Sequence, residues 1–493
     1  MGATAVAAPR GLTDLDRSFI RALAWSGGAR WGSQIASWAS TVIVARILAP
    51  DDYGLVSMAM VFVGFVALLS EFGVGTAVIA IQDLRDEQIA QLNALAVLLG
   101  AAACAATCAA AVPLGGVFES PGLPPVLFAL SVGFIITSLS TVPVALLQRD
   151  LQFRELAIID GLRALVMAGV AVALAMLGLG FWTLVVSSIV SSALGSALTL
   201  ALRRHRFAWP DASLHAAVRL SWHLLANRVC WYVYSNADFA VTGRVLGQAA
   251  LGSYTLAWSL TSIPIEKVTG LATAVTPAYL AAVRNELELL RRYLLEPTRA
   301  IALVAFPLLV GLAVAAPDAV PLVLGRQWDA AVAPLQILAL YGCVRSLTPL
   351  LPPFLIVTGK SSFLMWNSVA YALVMPISFY IGTYWGLYGV ALAWVAAYPV
   401  VTIPMYQRVL KTLELPARDY LATIRPAAGC TGLMAVAALA FRTFSDDWSP
   451  ALRLAGTIGA GGVVYLVAVT LLFREQFFAW LTEYEDPTSI HGR

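Results

Sequence analysis

Nine ionisable residues sit inside otherwise apolar stretches of this chain: Arg30, Arg163, Arg228, Lys267 and Arg345, with Glu71, Asp160, Asp238 and Glu266. In a lipid-embedded helix each such charge costs on the order of 2.5–3.5 kcal/mol, so it faces a cavity or a partner. Arg guanidinium matches phosphate oxygens through paired N–H donors. Intramembrane carboxylates suit the uptake of protons or sodium. The chemistry these residues support is reversible binding of anions and small cations, with no catalytic set among them. The five cysteines, Cys104, Cys108, Cys230, Cys343 and Cys430, fall in apolar runs and read as small buried hydrophobes. With no His or acid beside them, neither a metal site nor a cofactor is expected.

Helical rise sets the depth of these charges. Arg30 and Arg228 each lie some six residues inside their helices, roughly 9 Å deep. Glu71, Glu266 and Lys267 share that level on the following helices. Together they describe a mixed, net-cationic cavity, although Arg30 and Arg228 also have the reach to snorkel to the interface. Asp160 and Arg163, three apart on one helix, read first as a local pair. Asp238 reads equally as a proton or sodium site and as the partner of an Arg. Pro349, Pro352 and Pro353 follow Arg345 and should break its helix, freeing backbone groups beside a cavity. Trp31, Trp38, Trp231, Tyr232, Tyr234, Tyr254 and Trp258 cluster near the same helices. Such rings either stack on sugars or form an interfacial belt. Trp31, Trp231, Tyr234 and Trp258 are the stacking candidates.

The elements that must position these residues are membrane spans. Of the 493 residues 60% are hydrophobic and only 12% charged, about half the roughly 25% usual in soluble proteins. A secreted enzyme, a nucleic-acid-binding protein and a disordered scaffold are excluded by that balance. Apolar runs predict an all-α polytopic fold of about 14 helices, near 25–48, 55–81, 91–112, 123–147, 156–177, 180–202, 220–244, 251–276, 299–316, 332–357, 362–383, 386–407, 426–443 and 453–473. Most basic residues between the spans fall on one side, among them Arg85, Arg149, Arg203, Arg291, Lys360, Arg408 and Arg425. Arg46, Arg244, Arg326, Arg442 and Arg453 fall on the other. The bias puts both termini in the cytoplasm.

The halves resemble each other at an offset of 198 residues: Arg21 matches Arg219, Arg30 matches Arg228, Arg46 matches Arg244 and Gly54 matches Gly252. An offset spanning six helices gives a parallel repeat. The expected organisation is a cytoplasmic amphipathic segment 1–24, an N-lobe 25–202, a cytoplasmic loop 203–219, a C-lobe 220–407, a cytoplasmic loop 408–425, two added helices in 426–473 and a cytoplasmic tail 474–493. No loop is long enough to fold a catalytic domain.

The runs Val44 to Leu55 (VARILAPDDYGL) and Glu71 to Ile79 (EFGVGTAVI) resemble signatures of bacterial polysaccharide-biosynthesis flippases. So do Leu147 to Phe153 (LQRDLQF), Gly178 to Trp182 (GLGFW) and Asn236 to Gly247 (NADFAVTGRVLG). The resemblance covers most of the chain. It points to the oligosaccharide flippases of the multidrug/oligosaccharidyl-lipid/polysaccharide exporter superfamily. It implies a two-lobed bundle of 12–14 helices in the bacterial inner membrane that moves polyprenyl-diphosphate-linked oligosaccharide by alternating access. On that reading Arg30, Arg228, Lys267 and Arg345 hold the diphosphate, and Glu71, Asp238 or Glu266 couples movement to protons or sodium. Membrane lipids surround the chain, and a polysaccharide polymerase and a chain-length regulator are its pathway partners. Two rivals stand beside it. A multidrug antiporter of the same superfamily usually has acidic pockets. A membrane polymerase or ligase usually carries a catalytic outer loop.

Overall fold

The computed structural model describes residues 34, 36–71, 73–81, 84–203, 206–209, 215–283 and 286–472. The expected segments 1–24 and 474–493 lie outside the described residues, as do Arg30 and Trp31 and the side chain of Glu71. The described chain is almost wholly helical. The helices are α1 Ala36–Ile47, α2 Pro50–Glu71, α3 Val74–Ala80, α4 Asp86–Val117, α5 Leu123–Arg149, α6 Phe153–Met176, α7 Trp182–Leu202, α8 His215–Leu246 and α9 Gln248–Ala282. They continue with α10 Leu287–Ala319, α11 Val332–Leu347, α12 Leu351–Val357, α13 Ser361–Gly382, α14 Gly386–Thr412, α15 Ala417–Phe444 and α16 Pro450–Leu472.

Among the described residues ten stretches are long and apolar enough to cross a membrane, and one of them, Ser361–Thr412, holds both α13 and α14. Lipid rather than protein covers much of their surface. Only 11% of the most apolar part of α6, and the same share of α16, is buried by the rest of the chain, although both have mean hydropathy near that of the best-buried helices. Such apolar faces would be costly in water, and they make the chain a multi-pass membrane protein. The prolines after Arg345 break their helix as expected: α11 ends at Leu347, a short 3-10 turn covers Thr348–Leu350, and α12 resumes at Leu351.

The chain divides into two compact units. The described part of the first falls in Met1–Leu48, Val66–Val112 and Pro124–His223. Its core packs Val74 and Val78 of α3 against Leu92 and Ala96 of α4 and Val142 and Leu146 of α5. The Ser40 hydroxyl of α1 donates to the Ala168 carbonyl of α6 at 3.0 Å.

The second unit takes Ala49–Phe65, Pro113–Leu123 and Leu224–Arg493. The start of α2 therefore packs with α8 and α9 rather than with its own sequence neighbours. The Tyr232 hydroxyl of α8 donates to the Val61 carbonyl at 2.8 Å, and Tyr53 meets Trp328 edge to face at 5.1 Å. Elsewhere in this unit Asp318, at the end of α10, is buried between two guanidiniums. Arg442 of α15 donates to it at 2.8 Å and Arg453 of α16 at 2.9 Å. This cluster fixes the last helical hairpin to α10.

Candidate functional site

Two of the intramembrane charges, Asp238 and Arg345, lie on one aromatic cluster within the second unit. The Asp238 carboxylate is fully buried on α8. One oxygen accepts from the Tyr254 hydroxyl of α9 at 2.7 Å and from the indole N–H of Trp394 of α14 at 3.1 Å. The other accepts from the Phe239 backbone N–H at 3.0 Å. Three donors aimed at one carboxylate stabilise its charge without a counter-ion, and among the described residues no cation forms a salt bridge to it.

One aromatic layer away lies Arg345 of α11. Its guanidinium carbon sits 4.3 Å from the centre of the Trp258 ring, and one N–H donates to the Ser262 hydroxyl at 3.0 Å. Stacking on an indole orients a guanidinium and offsets part of its desolvation. Trp258 in turn contacts Trp394 at 5.2 Å and Tyr254 at 6.4 Å. Asp238 and Arg345 thus lie on opposite sides of three contacting aromatic side chains, Trp394 and Tyr254 against the acid and Trp258 against the guanidinium.

The stack continues from Trp394 to Tyr341 at 5.1 Å, then Tyr398, Tyr371 and finally Tyr234, which lies 4.9 Å from Tyr371 in a near-parallel arrangement. The Tyr371 and Thr402 hydroxyls share a hydrogen bond.

Helical spacing explains how four of the five elements deliver these groups, Tyr371 coming from α13. Residues four apart share a helix face. Tyr234 and Asp238 do so on α8, Tyr254, Trp258 and Ser262 on α9, Tyr341 and Arg345 on α11, and Trp394, Tyr398 and Thr402 on α14. The structure therefore brings together five of the residues singled out from sequence: Asp238, Arg345, Tyr254, Trp258 and Tyr234. Among the described residues four other candidates lie outside this cluster. Arg228 and Trp231 are exposed on α8, and Glu266 and Lys267 are exposed on α9. Trp394, Tyr341, Tyr398 and Tyr371 were missed because single aromatics in apolar runs look like ordinary core. Their four-residue spacing to another polar or aromatic side chain was the available signal.

The arrangement offers two kinds of chemistry. Asp238 is a buried acid that accepts from a hydroxyl and an indole N–H. Arg345 is a half-buried cation, fixed by its ring, whose remaining N–H groups suit an anionic oxygen ligand. Among the described residues no group of acids, histidines and cysteines is arranged to hold a metal ion.

Comparison with known proteins bears on this geometry. Over 334 residues the chain is 27% identical to the lipopolysaccharide biosynthesis protein WzxC of Escherichia coli (strain K12), covering 65% of this chain and 67% of that protein. It is 24% identical over 474 residues to the succinoglycan biosynthesis transport protein ExoT of Rhizobium meliloti (strain 1021), covering 93% and 94%. Its fold is similar to that of the lipid II flippase MurJ in an inward closed conformation, with a TM-score of 0.76 at 13% identity over 92% of this chain and 99% of that one. An inward-facing multidrug transporter of the MATE family in the MOP superfamily aligns at a TM-score of 0.63 and 16% identity, covering 78% and 94%. The model of the family described as "Polysaccharide biosynthesis protein" matches residues 43–333, more than half of the sequence, and the chain belongs to that family.

Proposed function

We propose that this protein is a flippase that carries polyprenyl-diphosphate-linked oligosaccharide across the bacterial inner membrane by alternating access, for surface or exported polysaccharide. The observation that carries the reading is the family match over residues 43–333 in a chain whose fold resembles a lipid II flippase. The site geometry supports it. A diphosphate needs cations, and Arg345 presents a guanidinium fixed on Trp258 inside apolar helices. A glycan needs polar and aromatic surface, and a polyprenyl tail can remain in lipid.

Within this reading Arg345 contacts the diphosphate, with Arg30, Arg228 and Lys267 as the other cations. Asp238 is the coupling acid, and protons are the ion that its hydrogen bonds from Tyr254 and Trp394 favour. Glu71 and Glu266 are the alternative coupling acids. The excess of basic residues on one side of the spans supports cytoplasmic termini. A multidrug antiporter shares the fold, but both named relatives above belong to polysaccharide biosynthesis, which favours the glycan cargo.

The test is a deletion strain complemented with wild type, Arg345→Ala or the Arg30→Ala/Arg228→Ala pair. Lipid-linked sugar should accumulate in the deletion strain and fall with wild type but not with the variants. Full restoration of surface polysaccharide by all the variants would remove the diphosphate assignment.

A further inference from the structure

We propose that a polar groove inside the first unit, separate from the Asp238 cluster, is a subsite for a neutral, hydroxyl-rich ligand, namely a sugar ring of the translocated molecule. The assignment rests on the glycan reading above. The cavity, about 130 Å³, lies between α5, α6 and α7. These helices are strongly apolar, yet Thr137, Ser140, Gln148, Ser192, Ser196 and Thr199 converge on it with Asp160 and Arg163. A packed apolar bundle has no need of such a gathering, and polar groups at membrane depth mark ligand paths.

The hydrogen-bond inventory identifies what fits. The Thr137 and Thr199 hydroxyls each donate at 2.8 Å to a carbonyl of their own helix, Ser140 donates to Thr137 at 2.9 Å, and Ser196 donates to the Ile136 carbonyl at 2.8 Å. Their protons are committed, so toward the groove these oxygens are acceptors. With the Asp160 carboxylate they form an acceptor-rich stretch of wall, beside the Gln148 amide and the Ser192 hydroxyl, which can both donate and accept. A phosphate, which only accepts, is repelled by the Asp160 carboxylate.

Arg163 excludes the opposite case. Its guanidinium lies 3.7 Å from Asp160, and its Nε–H is buried with no hydrogen-bond partner among the described residues. It needs an acceptor, and its charge repels a metal ion or ammonium. Its seat is made by Gly195, where a Cβ would overlap the Arg163 side chain. The occupant must donate to a row of hydroxyl oxygens, accept from a guanidinium and carry no net charge. An alcohol does all three, and a sugar ring presents several alcohols on one rigid frame.

Inverted membrane vesicles containing the full chain with Ser192→Cys test this. Labelling by N-ethylmaleimide is mapped by peptide mass spectrometry, with Cys104 and Cys108 as internal references. The expected result is labelling that falls several-fold with the trisaccharide raffinose and not with inorganic pyrophosphate. Adding Arg163→Gln should remove the protection while leaving Cys104 labelling unchanged. Equal labelling with and without raffinose means the groove holds water only and overturns the proposal. Protection by pyrophosphate, or no labelling at all, also overturns it. Occupancy is read here independently of transport. A failed flippase reading appears instead as normal surface polysaccharide in the deletion strain, so the two failures are distinguishable.

Discussion

Gly54 and Gly252, 198 residues apart, bring the start of α2 and the start of α9 into backbone contact. A Cβ on Gly54 would overlap the Gln248 carbonyl oxygen, and one on Gly252 would overlap that of Pro50. The contact is reciprocal. Pro50 and Gln248 are themselves 198 residues apart, so each repeat offers its glycine to the same backbone position of the other. The 198-residue offset seen in the sequence is thus mirrored in one contact of the fold.

Substitution at this crossing therefore forces two helices apart rather than moving a side chain. Gly54→Ala should lower the stability of the purified protein by about 1–3 kcal/mol, the usual cost of overpacking. Thermal unfolding in detergent reads the loss. Gly432→Ala is the control, since a Cβ on Gly432 meets nothing within 4 Å. It should be neutral or stabilising by about 0.5–1 kcal/mol, as expected for Gly to Ala in a helix.

Asp318→Ala leaves Arg442 and Arg453 half-buried without the carboxylate they share. Breaking such a buried group by removing one partner costs about 3–5 kcal/mol. Trypsin should then cleave after Arg442 or Arg453 in folded membranes at concentrations that leave wild type intact. Unchanged cleavage would mean that other contacts hold α15 and α16 in place.

The helices were legible because long apolar runs favour them: where the residues are described the runs fall on helices, and ten stretches, against the 14 runs read from sequence, are long and apolar enough to cross a membrane. Rotation about the helix axis was not legible. Nothing in the sequence said that Asp238 points at Tyr254 and Trp394, nor that Arg345 lies on Trp258, because these partners come from helices up to about 160 residues away. Arg228 illustrates the reverse. Its repeat partner and its depth singled it out, yet it is exposed on α8, outside the Asp238 cluster. Asp318 escaped notice because it sits at a helix end, where an acid needs no special explanation until two arginines are found on it.

Asp238→Asn should fold and lose coupling. The amide oxygen can take the place of the carboxylate oxygen that accepts from both Tyr254 and Trp394, at the loss of the hydrogen bond from the Phe239 N–H. Dissipating the proton gradient with an ionophore should slow transport by wild type and leave the residual rate of the variant unchanged. Equal sensitivity in both proteins would transfer the coupling role to Glu71 or Glu266.

Lys360 lies between α12 and α13 and donates to the Thr412 hydroxyl. Desolvation, and then repulsion by Arg408 and Lys411, lowers its pKa below the ordinary lysine value. A lowered lysine pKa means that the folded state disfavours the charged form. The resulting penalty is greatest at low pH and is relieved as pH rises through the folded pKa toward the unfolded one. The amine is accordingly more often neutral and nucleophilic near pH 8. Limiting amounts of an N-hydroxysuccinimide ester should acylate Lys360 ahead of Lys411, and Arg408→Gln should reduce that preference.

A flippase moves its lipid-linked glycan from the inner to the outer leaflet, and the sidedness of that glycan is directly measurable. Spheroplasts depleted of the protein are treated with periodate, which oxidises sugars only on the outer face, and the lipid-linked pool is extracted. The predicted result is a pool that is enlarged and protected from oxidation, becoming reactive within one round of re-expression. An equally oxidised pool in depleted and replete cells would contradict the assignment of this protein as the flippase.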